Sequence, residues 1–492
     1  MNILAPILAH AAAQGDKVAL VTGNERLTYA ELARRTSRIA ANLARRGVKP
    51  GDVVAIRCDH IDFVCATLAI AWTGATSISF AGLRPNELEG MTRHAGVTFI
   101  VAESFSPKPW MPGFARLQDL LADGPPDIPL ADCADDATWR IGYSSGTTGQ
   151  RKVIRFSHAA GLAKSDLLSR IPKIRGERTL IHLGFALTFA IAYWMRELSR
   201  GVTVVLSAAA VDTVTAIEQS GADLIVSSPA NAVELVRLLQ KTGRRIPDSV
   251  KTVMLGGAPV SPAHRKLVRE HLSSNLWINY GATEVGLVAL LGPELLEIQP
   301  GSAGRVMPWV ELEVVDDAGK PVPPLTEGVL RFRSPMMASG YILAADAPDG
   351  DRQAFGDGWF RSGDRGFVTE GRLLFLAARE SDVMNLGGNK VDPVTVERAL
   401  EDFPGVLECA AVAVPARSKG TMQVALFYVS DSPLDGEAMR LHCAARLEAW
   451  QAPRLFVRAA KLPRNESGKV MRPALIDELR RHTMKGKTKV QA

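Results

Sequence analysis

A ten-residue segment combines hydroxyl groups, glycines and cations at a spacing that suits phosphate binding. Residues 143–152 read Tyr-Ser-Ser-Gly-Thr-Thr-Gly-Gln-Arg-Lys. Glycine allows a positive φ and a close backbone approach to a ligand, while hydroxyls, exposed N–H groups and a final lysine attract phosphate oxygens. The alternative is a polar surface turn, and the spacing is not that of a P-loop NTPase. The candidate phosphate ligands are Ser144, Ser145, Gly146, Thr147, Thr148, Gly149 and Lys152.

Three further segments, all C-terminal to this loop, carry side chains that could bind a nucleotide or take part in catalysis. Residues 279–284 offer a tyrosine ring for stacking and a final glutamate that could hold a metal or simply start a helix. Residues 359–364 end in an aspartate after a predicted tight turn, which together with Arg379 could bind ribose hydroxyls. Residues 463–469 carry a lysine at a loop tip. Taken singly, the aspartate is typical of a turn and the lysine of a surface.

Strand-like and helical segments alternate over most of the chain. The Thr28 to Glu31 capping box predicts a helix that ends at Gly47. Residues 223–227 predict a strand followed by a helix over 229–240, and residues 250–255 predict a second strand that ends in a glycine pair. Strand, turn and helix in this order are typical of α/β folds, in which ligands bind at the carboxyl ends of strands.

The pattern changes after about residue 300, where short strands over 312–315, 329–333, 366–369 and 373–376 predict a small antiparallel or barrel-like region. A compact α+β unit is expected from about residue 382, with helices over 393–403, 436–450 and 473–480. The predicted fold class is therefore α/β, with a large N-terminal domain of layered α/β subdomains and a small α+β C-terminal domain.

Composition excludes several classes of protein. Of 492 residues, 47% are hydrophobic and 22% charged, which is ordinary for a globular protein. Five scattered cysteines without a C-x-x-C spacing argue against a disulfide framework or zinc site. The net charge of +6 comes without a basic stripe interleaved with aromatics, so no nucleic-acid partner is expected. The start lacks a signal-peptide pattern, and the uncharged runs 63–83 and 179–195 predict core, so we expect a cytoplasmic protein without membrane contact.

Together and in this order, these motifs resemble those of the adenylate-forming superfamily, which includes acyl-CoA synthetases, aryl acid ligases, peptide-synthetase adenylation domains and beetle luciferase. The resemblance runs from the Leu27-Thr28-Tyr29 segment to Arg472. It implies a large domain over 1–379 and a mobile C-terminal domain over 380–492 that swivels about a hinge at Ser381. It also implies that a carboxylic acid and ATP form an acyl adenylate with release of pyrophosphate, and that the acyl group then moves to a thiol.

The resemblance assigns a role to each motif. It implies that residues 144–152 hold the β- and γ-phosphates, and that Glu284 and Thr148 position Mg²⁺. The adenosine would be bound by Tyr280 with Gly281 and Thr283, by the turn of Gly256, Gly257 and Ala258, and by Asp364 and Arg379 at the ribose. Lys469 would bridge the α-phosphate and the substrate carboxylate. The implied catalytic residues are Lys469, Glu284 and Thr148.

Two parts of the pattern carry open questions. Gly387 and Gly388 match the stretch that forms a pantetheine tunnel in the family, although they could form a simple turn. The loop departs from the family pattern at Arg151, where proline is usual, and at Val153, where glycine is usual. Ser381 stands where aspartate or lysine is common.

The implied acyl pocket contains His182, Phe185, Phe189, Gly257, Gly281 and Gly286. Residues 179–195 contain no acid, which favours an uncharged acyl or aryl acid as the small-molecule substrate. His182 could equally be a core histidine, and the two phenylalanines, four apart on a predicted helix, could equally be core.

The predicted activity is an acid–thiol ligase that uses ATP, Mg²⁺ and coenzyme A, as a monomer or homodimer. One alternative acceptor is the phosphopantetheine of a carrier protein acting in trans. An alternative of another class is a non-catalytic nucleotide-binding regulatory protein.

Overall fold

The computed structural model describes residues 1–104, 106–122, 127–145, 151–171, 173–207, 210–344, 347, 349–379, 382–386, 389–416, 422–465 and 468–484. Side chains are described over the same ranges except at 144, 145, 151, 210–212, 378 and 482–484. The predicted loop residues 146–150, the hinge Ser381 and the glycines Gly387 and Gly388 lie outside the described residues.

The first part of the chain alternates strands and helices as the sequence predicts. Its elements are α1 (Ala5–Ala13), β1 (Val18–Thr22), β2 (Glu25–Thr28), α2 (Tyr29–Arg45), β3 (Val53–Arg57), α3 (His60–Trp72), β4 (Thr76–Ser79), α4 (Leu88–His94), β5 (Phe99–Ala102), β6 (Phe114–Arg116) and α5 (Leu117–Leu121). The capping box is confirmed, because the Thr28 side chain accepts from the Glu31 backbone N–H and Glu31 in turn accepts from the Thr28 N–H.

The central part supplies most of the site. Its elements are β7 (Thr138–Ser145), β8 (Arg151–Ser157), α6 (His158–Ser169), β9 (Arg178–His182), α7 (Thr188–Ser199), β10 (Thr203–Leu206), α8 (Ala210–Ser220), β11 (Leu224–Ser227), α9 (Pro229–Thr242), β12 (Thr252–Gly256), α10 (Pro262–His271), β13 (Leu276–Ala282), β14 (Gly286–Leu291) and α11 (Pro293–Ile298). The helix prediction for Phe185 is wrong: this residue lies in the turn before α7, which begins at Thr188.

Short strands and one helical turn follow, as predicted from the change in pattern. They are β15 (Gly304–Val306), β16 (Glu311–Val315), β17 (Gly328–Arg333), β18 (Gly340–Ile342), α12 (Asp349–Arg352), β19 (Phe355–Gly356), β20 (Trp359–Val368) and β21 (Leu373–Arg379). Residues 359–364 lie within β20 and do not form the predicted tight turn. Pairing with β17 and β21 on its two sides overrides the local preference of the Ser-Gly-Asp sequence for a turn.

The C-terminal α+β unit contains β22 (Met384–Leu386), β23 (Asn389–Val391), α13 (Pro393–Glu401), β24 (Glu408–Pro415), β25 (Met422–Val429), α14 (Gly436–Ala444), β26 (Leu455–Ala459) and α15 (Arg472–Met484). Helix α14 ends at Ala444, earlier than the predicted residue 450, and the chain continues in turns. Strands β24, β25 and β26 form its sheet, with apolar clusters on both faces.

Two sheets build the large domain. One runs in the order β18-β8-β7-β4-β3-β5-β6, and the other in the order β16-β17-β20-β21-β15-β14-β13-β12-β11-β9-β10-β1-β2. The second sheet is parallel from β1 to β13 and antiparallel from β13 to β16, so the antiparallel region extends the parallel sheet. The largest apolar cluster contains residues of both sheets and of the helices between them.

No helix in the described part of the chain has both the length and the apolar composition needed to cross a bilayer. The two uncharged runs flagged in the sequence instead form buried elements. The first forms α3 and β4, and the second forms β9 and α7.

Candidate active site

A cleft of 2110 Å³ collects residues from both sheets and from the C-terminal unit. It contains most of the described residues that the sequence assigns to nucleotide binding. Those lining it are Lys152, Gly256, Gly257, Ala258, Tyr280, Gly281, Thr283, Glu284, Asp364, Arg379 and Lys469. They come from six separate stretches of sequence, so the fold brings together residues that are far apart along the chain.

Asp364 is the centre of a buried polar cluster. Its side chain accepts a hydrogen bond of 2.7 Å from the Tyr280 hydroxyl and one of 2.5 Å from Arg379 Nε. The register explains this contact, because Asp364 on β20 lies opposite Arg379 on β21. Burial and the neighbouring Asp364 carboxylate raise the pKa of Tyr280 well above its usual value, so the hydroxyl keeps its proton. The cluster holds a carboxylate and a guanidinium ready for hydroxyl groups of a ligand.

We predict that Asp364→Asn weakens ATP binding. The substitution keeps the shape of the side chain but removes the negative charge to which Arg379 and Tyr280 donate their hydrogen bonds. A hydrogen bond to a charged group contributes about 1.5–3 kcal/mol, so KM for ATP should rise ~10- to 100-fold. Steady-state kinetics with varied ATP check this, with Asp357→Asn as control because Asp357 is exposed in the turn before β20. Equal KM values in both variants would remove Asp364 from the nucleotide site.

The close approach of two glycines shapes the wall next to Tyr280. A Cβ on Gly281 would lie 2.2 Å from the carbonyl oxygen of Gly286, which no real side chain allows, and Gly286 has a φ of +82°. The turn between β13 and β14 therefore requires glycine at both positions. It places Glu284 in this turn, so the alternative of a helix-start acid is wrong.

Glu284 is suited to hold a hard cation. Its side chain is only 6% exposed, and Oε1 accepts a 2.7 Å hydrogen bond from the Tyr341 hydroxyl. Among the described residues, no hydrogen bond to its second oxygen, Oε2, is present. A carboxylate that is oriented through one oxygen and free at the other is a ligand of the type that Mg²⁺ prefers. The second proposed metal ligand, Thr148, lies outside the described residues.

Lys469 enters the cleft from the C-terminal unit. Its loop is closed by a β-bridge between Arg464 and Val470, and Asn465 Oδ1 accepts from the Lys469 N–H at 2.9 Å. Gly468 has a φ of +82°, and a Cβ there would lie 4.0 Å from the Ala258 side chain, so the loop packs on the turn after β12.

The groups around Lys469 shift its pKa in both directions. Burial lowers the pKa of Lys469 below its ordinary value, and Arg379 adds to this effect. The carboxylates of Asp364, Glu284 and Asp382 oppose the shift. Lys469 is therefore within electrostatic reach of both the polar cluster and the candidate metal ligand.

The phosphate segment forms a hairpin whose strands are described and whose tip is not. Ser144 lies opposite Lys152 and Ser145 opposite Arg151 in the β7–β8 register. The Lys152 ammonium forms an ion pair with Asp351, and its Nζ lies 5.4 Å from the centre of the Tyr341 ring. Val153, which departs from the family pattern, is buried in an apolar cluster.

The acyl-pocket residues divide between the cleft and the core. Phe185, Phe189, Gly257, Gly281 and Gly286 line the cleft. A Cβ on Gly256 would lie 2.7 Å from Phe189 Cζ, so this ring packs on the turn after β12.

His182 does not line the cleft and is a core histidine. It is 1% exposed, and its Nδ1 lies 3.2 Å from Ser227 Oγ. Burial lowers its pKa to about 4, so the ring is neutral near pH 7. The sequence alone could not decide whether His182 lines the pocket or lies in the core, because a residue at the end of a buried strand can do either.

Three cleft residues have no part in the sequence motifs. Tyr341 orients Glu284, and Arg140 and Lys164 add two cations to the wall. The sequence did carry a signal for Arg140. Successive residues of a strand point to opposite faces, so Arg140 is expected on the same face of β7 as Gly142 and Ser144 of the phosphate motif. Nothing in the local sequence marks Tyr341 or Lys164.

Comparisons with known proteins place these features in a family. The model of the AMP-binding enzyme family matches residues 7–342, and that of the AMP-binding enzyme C-terminal domain matches residues 395–469. The chain is 28% identical over 479 residues to a 2-succinylbenzoate–CoA ligase of Bacillus licheniformis, covering 94% of this chain and 96% of the relative. It is also 28% identical over 479 residues to a feruloyl-CoA synthase of Amycolatopsis sp, covering 92% and 93%.

A solved structure has the same fold. The o-succinylbenzoate coenzyme A synthetase of Bacillus subtilis, in complex with ATP and a magnesium ion, superposes with a TM-score of 0.82. The two chains are 24% identical, and the match covers 96% of this chain and 98% of that one. The large N-terminal and small C-terminal domains expected from the sequence are thus confirmed.

Proposed function

The chain belongs to the AMP-binding enzyme family, and we propose that it joins a carboxylic acid to coenzyme A through an acyl adenylate. The observation that supports this most is the convergence of Asp364, Glu284 and Lys469 in one cleft between the two domains. A ribose site, a metal ligand and a cation are the parts that attack of a carboxylate on ATP requires. The curated relatives with CoA ligase names support coenzyme A as the acceptor.

The first step needs alignment and charge neutralisation but no base. The attacking carboxylate is already anionic, so no proton has to be removed from it. Asp364 and Arg379 hold the ribose, and the ring of Tyr280 with the turn after β12 holds the adenine. The Lys469 ammonium lies between the α-phosphate and the carboxylate, where it offsets the repulsion of two anions.

The magnesium ion that the family implies would be held by Glu284 and the loop hydroxyl of Thr148. It would neutralise charge on the phosphates as pyrophosphate leaves. The free, buried carboxylate oxygen of Glu284 fits this role.

Acid-dependent exchange between ATP and labelled pyrophosphate tests the proposal. The reaction runs only if adenylation is reversible on the enzyme, so label should appear in ATP when a suitable acid and magnesium are present. A non-catalytic nucleotide-binding protein would bind ATP and give no exchange with any acid. Comparison of CoA with a holo-carrier protein as acceptor then distinguishes the two thiols.

The second step leads to a prediction at Gly387, a position assigned from the resemblance. A side chain there would block the arm of the thiol substrate while leaving the adenylation site untouched. Gly387→Leu should therefore abolish thioester formation and preserve pyrophosphate exchange, as measured in parallel assays. Normal thioester output from this variant would remove the tunnel assignment.

We also propose that the domain boundary lies between residues 379 and 380. Limited proteolysis with and without ligands would test it.

A further inference from the structure

Arg140 is a buried cation for which the described part of the chain supplies no anionic partner. It is 5% exposed, and its Nη2 donates a 3.2 Å hydrogen bond to Thr188 Oγ1. Its buried Nε has no hydrogen-bond partner among the described groups. Within the described ranges, no carboxylate forms an ion pair with this guanidinium. A buried charge normally has a partner, because an ion that loses its water shell without gaining an opposite charge is strongly destabilised.

Arg196, the other buried arginine in the described part of the chain, follows that rule: it is 1% exposed and lies 3.0 Å from the Glu197 carboxylate. The half-buried Arg379 likewise pairs with Asp364, at 2.5 Å. Arg140 is therefore an exception that local folding does not explain. Its position on β7, facing the cleft, leaves a ligand as the missing partner.

Lys164 on α6 adds a second cation at the same place. The Arg140 guanidinium lies 4.9 Å from the centre of the Phe156 ring, and Lys164 Nζ lies 5.0 Å from it. One aromatic ring stabilises each cation only modestly and does not remove their mutual repulsion. Burial and this repulsion lower the pKa of Lys164 to about 8, against the opposing influence of Glu284, and burial lowers that of Arg140 to about 9. Two like charges held together indicate a site built for an anion.

The two cations line the same cleft as the candidate acyl-pocket residues Phe185 and Phe189. Together with Thr188, the two cations also line a separate small cavity of 20 Å³. A Cβ on Gly142 would lie 3.1 Å from Arg140 Nη2 and 3.0 Å from Thr188 Oγ1, so the glycine keeps this polar group uncovered. Arg140 lies four positions along β7 from Ser144, where the phosphate loop begins, which is a distance of about 13 Å.

We propose that Arg140 and Lys164 form an anion subsite that binds a second carboxylate of the acid substrate. The inference rests on the proposed function, since it takes the cleft as an acid-activating site. One carboxylate is activated near Lys469 and Glu284, while the other is held by the guanidinium, the ammonium and the Thr188 hydroxyl. This replaces the expectation of an uncharged acid, which considered only residues 179–195. The cations come from β7 and α6, outside that segment.

Matched pairs of acids test the proposal. Pyrophosphate exchange is measured with monocarboxylic acids and with dicarboxylic acids of the same skeleton, such as benzoate with the carboxybenzoates and hexanoate with adipate. For at least one pair, the purified enzyme should use the diacid with a kcat/KM ~10-fold or more above that of the monoacid, as a charged hydrogen bond provides. If every monoacid is used as well as or better than its diacid, the subsite is wrong. If no acid gives exchange, the proposed function itself fails.

Variants distinguish the subsite from a general charge effect. Arg140→Met and Lys164→Met should each lower the ratio of diacid to monoacid kcat/KM ~10-fold or more, mainly through KM, and Arg140→Lys should restore part of it. Arg155→Met is the control, because Arg155 is exposed on the neighbouring strand β8. An unchanged ratio in both methionine variants would show that the cations only fill the core. Should one variant fail to fold, the other and the preference of the unmodified enzyme still decide.

Discussion

Lys469→Ala should abolish adenylate formation and leave transfer from a supplied acyl adenylate to CoA nearly intact. The pKa of Lys469 in the C-terminal unit responds to both Asp364 and Glu284, which supports its proposed position at the reacting groups. Loss of one such electrostatic contact typically lowers the rate ~100- to 1000-fold. The family resemblance implies that the thiol-transfer step uses a different face of the small domain, so this step should not need the ammonium.

Single-turnover assays of the two steps measure this difference. Lys461→Ala is the matched control, because it removes an exposed lysine shortly before the same loop. Equal loss of both steps in Lys469→Ala would contradict the swivel of the small domain. A full adenylation rate would remove Lys469 from the site.

Glu284→Gln should lower the adenylation rate ~100- to 1000-fold and raise the magnesium concentration needed for half-maximal rate. Glutamine keeps the size of the side chain and can still accept from the Tyr341 hydroxyl, so the turn between β13 and β14 should keep its shape. What it loses is the negative charge at Oε2. Binding of AMP, which needs no metal at this position, should change little.

Magnesium titrations of pyrophosphate exchange check this prediction, with AMP binding followed by calorimetry. Glu294→Gln serves as control because its carboxylate is exposed on α11. A Glu284→Gln variant with an unchanged magnesium requirement and a low rate would mean that Glu284 acts through Tyr341 and not through the metal.

Local sequence predicted the motifs better than it predicted their surroundings. The strands before the glycine turns and the capped helix α2 follow from short-range rules, since capping and burial act over a few residues. The pairing of Asp364 with Arg379 could not be predicted in this way. It depends on the register of β20 and β21, which long-range contacts decide.

The same limit explains the errors. Residues 359–364 contain a turn-like Ser-Gly-Asp sequence, yet two neighbouring strands hold them in β20. His182 and Phe185 are close in sequence, but one lies in the core and the other lines the cleft. Lys164 was missed because a lysine in a helix is usually exposed, and only tertiary packing places it beside Arg140.

The most direct test of the central claim follows an oxygen atom. If the carboxylate attacks the α-phosphorus of ATP, an acid labelled with ¹⁸O in its carboxyl group must transfer one labelled oxygen to AMP when the thioester forms. Mass spectrometry of the nucleotide products should therefore find ¹⁸O in AMP and none in pyrophosphate. Unlabelled AMP, or ADP together with labelled phosphate, would contradict the account.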